Sequence, residues 1–133
     1  MSIPNPYQTY QQNSVNTASP GELTLMLYNG CLKFINLAKV ALKEKNIQEK
    51  NTNIQKAQNI ITELMATLDT KYEIANQMMS LYDFIRRKLI EANVKNSIES
   101  LEEAESLVVE FRDTWKEVIR INRMRTYAKD GQA

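Results

Sequence analysis

The stretch TLMLYNGCLKFINLA, residues 24–38, carries only four polar interruptions: Thr24, Asn29, Lys33 and Asn36. Laid out at about 100° per residue, the apolar positions from Leu23 to Ala38 cover roughly 260° of a helix. A bundle helix needs an apolar arc of little more than about 100° to face its neighbours. Two stripes can be drawn on it. Leu23, Leu27, Gly30, Phe34, Leu37 and Ala41 advance in alternating steps of four and three and read as the core line. Leu25, Tyr28, Leu32 and Ile35 lie nearly opposite and read as surplus. Monomers seldom leave such a patch open without a purpose. Three uses compete for it: burial inside the bundle if this helix is the most central, a homodimer face, or a groove for a partner's helix covered meanwhile by residues 1–18.

The helix start is marked by Ser19-Pro20-Gly21-Glu22, a capping box with Ser19 as N-cap, proline in the first turn and Glu22 reaching back. Three further segments repeat the three-four rhythm. They carry Ile54, Ala57, Ile61, Leu64 and Leu68, then Ala75, Met78, Tyr82, Ile85, Leu89 and Ala92, then Leu101, Ala104, Val108, Phe111, Trp115 and Val118. Asn96-Ser97-Ile98-Glu99 reads as a capped start for the last one. Four amphipathic helices with short links predict an all-α fold, an antiparallel up-down-up-down four-helix bundle. The expected helices span about 20–45, 50–69, 73–93 and 97–122. They lie within a bundle at 19–125, flanked by a flexible N-terminal cap segment (1–18) and a C-terminal tail (126–133).

Composition narrows the function. None of the three glycines and three prolines falls between Cys31 and Asp130, which favours long helices. With 17 basic against 16 acidic residues, no net field draws the chain to nucleic acid or an anionic membrane. There is no histidine, so the usual proton shuttle, the common zinc sets and bundle-type di-iron ligands are missing. No P-loop or dinucleotide fingerprint occurs. Glu99, Glu102, Glu103, Glu105 and Glu110 spread around the exposed side of the last helix, with no partner set on another helix. The lone Cys31 is expected to be a buried, inert hydrophobe. The expectation is therefore no enzyme, no metal and no cofactor. The start MSIPNPYQTYQQ lacks the features of a signal peptide, and no unbroken apolar run reaches the length of about 18 that a span requires, so a cytoplasmic location without membrane insertion is expected.

Within residues 1–18, Ile3, Tyr7, Tyr10 and Val15 are spaced as anchors that would pin the segment over the bundle. Met79, Asp83, Arg86 and Ile90 form a smaller side stripe on the third helix. The basic residues Arg120, Arg123, Arg125 and Lys129 read as a dipole-compensating helix end.

The run TASPGELTLMLYNGCLKFI (17–35) resembles the opening of the FliS family, cytoplasmic export chaperones of bacterial flagellin. EIAN (73–76), LYDFIRRKL (81–89) and EAN (91–93) resemble its third helix, and FRDTW (111–115) its fourth. Tyr7 and Tyr10 fall at its N-terminal tyrosine positions. Asn29 stands where the family usually has Asp, which removes a surface charge. Tyr72 stands where a glycine often precedes EIA and bears on the turn entering the third helix. The resemblance implies a four-helix bundle serving type III protein export in flagellum biogenesis. It would bind the disordered C-terminal region of flagellin, prevent premature polymerisation and present the client to export gate components. The expected client-binding residues are Tyr7, Tyr10, Val15, Leu25, Tyr28, Leu32, Ile35, Met79, Tyr82, Arg86 and Ile90, with a mostly monomeric chain and a 1:1 client complex. The alternative from another class is a constitutive helical homodimer or scaffold without a secretion client.

Overall fold

The computed structural model describes residues 20–69 and 71–131, so Tyr7, Tyr10, Val15 and the Ser19 cap lie outside the described residues. Four helices follow one another: α1 (Pro20–Lys43), α2 (Ile47–Thr67), α3 (Glu73–Lys95) and α4 (Ile98–Gly131). α1 and α3 each pack against both α2 and α4, which closes the ring of an antiparallel bundle. The register is visible in paired contacts. Lys39 meets Glu105 at 3.3 Å while Glu22 meets Arg123, and Lys88 meets Glu103 at 3.0 Å while Tyr82 packs on Phe111.

Local chemistry sets the short links. Lys45 adopts the left-handed conformation (φ 59°), and the Asn46 N–H donates to the Ala41 carbonyl (2.8 Å). The Asn46 side chain then accepts from the Glu49 N–H (3.1 Å) and caps α2, a signal the periodicity did not expose. At the other end Asn96 is left-handed (φ 53°) and closes α3, while the Ser97 hydroxyl accepts from the Ser100 N–H and opens α4. α4 runs to Gly131, well beyond the expected end near 122. No Gly or Pro interrupts it before Gly131, and the pair Glu117–Arg120 supports its late turns.

The core is continuous through all four helices. Tyr28, Cys31, Ile35 and Ala38 from α1 join Ile54, Ala57 and Ile61 from α2, Tyr82, Ile85 and Leu89 from α3, and Leu101, Ala104 and Val108 from α4. By length and composition the stretch Gly21–Lys43 is long and apolar enough to cross a membrane. Here Leu27, Tyr28, Leu32, Phe34 and Ile35 are buried in the bundle, while Leu37 and Val40 stay exposed.

Candidate functional site

The expectation that α1 keeps a surplus stripe is corrected. Tyr28 and Ile35 are 1 % and 0 % exposed, and Leu32 is also buried. The reason is α1's position between α2 and α4, with Tyr28 reaching across to the diagonal helix α3. Its hydroxyl lies 2.6 Å from that of Tyr82, and Phe111 stacks on the Tyr28 ring and packs tilted against that of Tyr82, with centroids at 5.8 and 5.1 Å. Three of the four residues read as surplus, Tyr28, Leu32 and Ile35, belong to the core together with Leu27, Phe34 and Ala41 of the core line, whereas Leu37, read as core, is 42 % exposed. Tyr82 is sealed with Tyr28. A stripe enclosed within one chain is also unavailable as a subunit face.

Leu25, Met79, Arg86 and Ile90 remain partly or fully accessible, but the fold does not bring them together. Leu25 lines a hollow between α1 and α4 with Ile119 and Met124, rimmed by Lys116, Arg120 and Arg123. Met79, Arg86 and Ile90, spaced by seven and four, share one flank of α3, where Arg86 pairs with Asp83 at 2.8 Å.

The opposite flank of α3 shows the most coherent apolar surface. Leu81 (41 % exposed) faces Leu107, Phe111 and Thr114 of α4 across a hollow of about 180 Å³, with Glu110 on its rim. Phe84 extends the flank one turn on, and Lys88 places its ammonium 5.5 Å from that ring's centroid. Glu103 and Glu91 hold the Lys88 ammonium above the ordinary lysine range. Glu103 therefore ties α4 to α3 through Lys88, and Glu105 ties it to α1 through Lys39, while Glu91 braces Lys88 from its own helix. Near the start of α3, Ile74 is exposed as well. Phe111 forms the floor, fixed from behind by Tyr28 and Tyr82. Sequence reasoning missed Leu81, Phe84, Leu107 and Phe111 as a surface. Their only signal was that Leu81 and Phe84 sit off the α3 core line.

Cys31 is fully buried, and burial pushes its thiol up to about 12, the inert state expected of it. Among the described residues no group of His, Cys, Asp and Glu is arranged to hold a metal ion.

Comparison with known proteins agrees with this architecture. The profile of the family described as Flagellar protein FliS matches residues 3–122. The chain is 52 % identical over 133 residues to the flagellar secretion chaperone FliS of Bacillus subtilis, covering all of both chains. It is 34 % identical over 109 residues to that of Escherichia coli, covering 80 % of each. A solved structure described as a flagellar chaperone from bacteria superposes with a TM-score of 0.72 over 86 % of this chain and 94 % of that one; at 19 % identity it speaks for the shared fold alone. With a matching family profile, a full-length relative at this identity and the bundle itself in place, the chain belongs to the FliS family of flagellar secretion chaperones.

Proposed function

We propose that this chain is a cytoplasmic chaperone that binds the disordered C-terminal region of flagellin, one client per chain, keeps it from polymerising early and presents it for export. The observation that carries the reading is the α3–α4 flank. Leu81 and Phe84 stand half-exposed beside Leu107 and Phe111 on a floor that the Tyr28–Tyr82 pair makes rigid. A preformed apolar strip between two helices suits helix-in-groove recognition. Met79, Arg86 and Ile90 on the other flank of α3, and Leu25 beside α4, supply further contacts for a client long enough to wrap the bundle. Tyr28, Leu32, Ile35 and Tyr82 support these walls from inside and do not touch the client.

Extended wrapping follows from energetics. Ordering a disordered client costs about 1–2 kcal/mol per residue of backbone. Each anchor removed from water returns about 1.5–3 kcal/mol, so only several strips used together give tight binding. The work is binding, not bond chemistry. Titration with the C-terminal peptide of the organism's flagellin tests it. Saturation at one peptide per chain, with a rise in helical signal, supports the reading; a peptide that stays unbound and disordered contradicts it.

A further inference from the structure

The reading of Arg120 and Arg123 as a dipole-compensating helix end does not survive the length of α4. The helix continues to Gly131, eleven and eight residues further on, and the macrodipole is felt only within the last turn. The two arginines instead belong to a row. Arg112, Lys116, Arg120 and Arg123 follow at steps of four, four and three and share one face of the helix. Like charges at this spacing repel one another, so the row weakens the helix that carries it. Asp113 and Glu117 relieve it in part by pairing with Arg112 and Arg120, and Glu22 of α1 takes Arg123. Among the described residues, no ion pair includes Lys116.

The row borders an apolar hollow. Leu25, Ile119 and Met124 form the floor of a space of about 340 Å³ between α1 and α4, and Lys116, Arg120 and Arg123 rim it against the one carboxylate of Glu22. Met124 is 58 % exposed, and its pliable thioether adapts to whatever packs on it. One turn beyond Leu25, on the same face of α1, stands Asn29, exposed and uncharged. The hollow therefore combines an apolar floor with positive charge that the chain's own acids do not meet. Those acids are gathered on the other half of the same helix. Ile98 to Phe111 holds five glutamates and no basic residue, whereas Arg112 to Arg125 holds five basic residues against two acidic ones.

We infer that the client segment crossing the α1–α4 hollow is acidic: it seats apolar side chains on Leu25, Ile119 and Met124 and turns its carboxylates to Lys116, Arg120 and Arg123. The inference rests on the client reading and adds how the client is told from other disordered apolar segments. Apolar contacts supply affinity with little orientation, while a charged row fixes which part of the client lies here and in which register. Nucleic acid would use the cations but leave the apolar floor without a role.

Titration of the full chain with the C-terminal peptide of the organism's flagellin, at low and high ionic strength, tests it. Lys116→Glu/Arg120→Gln is compared with Lys43→Glu/Lys45→Gln, which changes net charge by the same amount at the other end of the bundle. The first variant should bind at least about tenfold more weakly at low salt and lose most of its salt dependence, and the second should stay within about threefold of the unmodified chain. A peptide with Asn and Gln in place of its Asp and Glu should bind the unmodified chain as weakly as the first variant binds the native peptide. It should also no longer distinguish the two chains. Native peptide that binds the first variant unchanged, or equal losses in both variants, overturns the inference and leaves the client reading standing. Peptide that binds no form of the chain overturns both. A single-stranded oligonucleotide is titrated in parallel; if Lys116→Glu/Arg120→Gln weakens its binding but not that of the peptide, the row serves nucleic acid and the inference falls. If the double variant loses its helical signal, Lys116→Gln replaces it: a weaker, less salt-sensitive peptide complex supports the inference, and an unchanged one overturns it.

Discussion

The hydroxyls of Tyr28 on α1 and Tyr82 on α3 meet at 2.6 Å in the centre of the bundle, each ring 1 % exposed. This bond joins diagonal helices and sets the floor beneath Phe111. Removing one hydroxyl strands the other without a partner in an apolar interior, at a cost of about 1–3 kcal/mol. Tyr28→Phe and Tyr82→Phe should therefore each destabilise by that order in urea titration. The double Phe variant should be more stable than the sum of the two losses predicts, because neither hydroxyl is then left unpaired. Additive losses would show that the bond contributes nothing of its own.

Alkali should unfold the protein through these same groups. Burial raises the Tyr28 and Tyr82 phenols above their ordinary value of 10.0, and pushes the Cys31 thiol from 9.0 up to about 12. The unfolded chain then ionises first. Their contribution is complete below about pH 9 and drains away above it, the thiol beginning before the phenols. Lys50 acts in the opposite sense, since burial lowers its ammonium below 10.5 and its folded form gains as pH rises toward that value. Three acids against one base give a net fall. Equilibrium unfolding from pH 7 to about 11 should show stability level and then declining, with Cys31→Ala delaying the onset.

Lys50, only 2 % exposed, donates to the Asn93 carbonyl (2.9 Å) and to the Asn96 side chain, closing the C-terminus of α3 from the start of α2. Lys50→Met keeps much of the stem and removes the donor, leaving both acceptors short of a partner. A loss of about 1–3 kcal/mol in thermal or urea unfolding is expected.

Lys45 adopts a left-handed conformation that favours glycine. Lys45→Gly removes the Cβ conflict, at the cost of more freedom in the unfolded chain. The net effect should be a gain of up to about 1 kcal/mol. A lower melting temperature would show that the lysine side chain holds the link in some other way.

How much of this was legible in the sequence differs by element. The bundle, its four core-bearing segments and the inert cysteine could be read because the apolar steps on α2, α3 and α4 each define a single line. α1 offered two lines, and periodicity alone could not decide which faced inward. The choice depended on Tyr28 finding Tyr82, 54 positions away. Of the client residues inferred on α1, Tyr28, Leu32 and Ile35 went into the core with it. The α3–α4 surface could not be read because Leu81 and Phe84 differ from core positions only by their angle to helix α4. The reach of α4 was underestimated because a polar, basic stretch without an apolar stripe resembles a tail, although no Gly or Pro stops the helix before Gly131. The family likeness, by contrast, rested on short motifs in register and did not depend on which face was buried.

The most direct measurement compares two surfaces matched in character. The C-terminal peptide of flagellin is titrated against Leu81→Ser/Phe84→Ser, on the α3–α4 flank, and against Leu37→Ser/Val40→Ser, on the α1–α2 face, with helical content and unfolding recorded for both. The first pair should weaken binding at least about tenfold while the bundle stays folded, and the second should leave the affinity within about threefold of the unmodified chain. Equal losses in both variants, or a loss only in the second, would contradict the assignment of the client to α3 and α4.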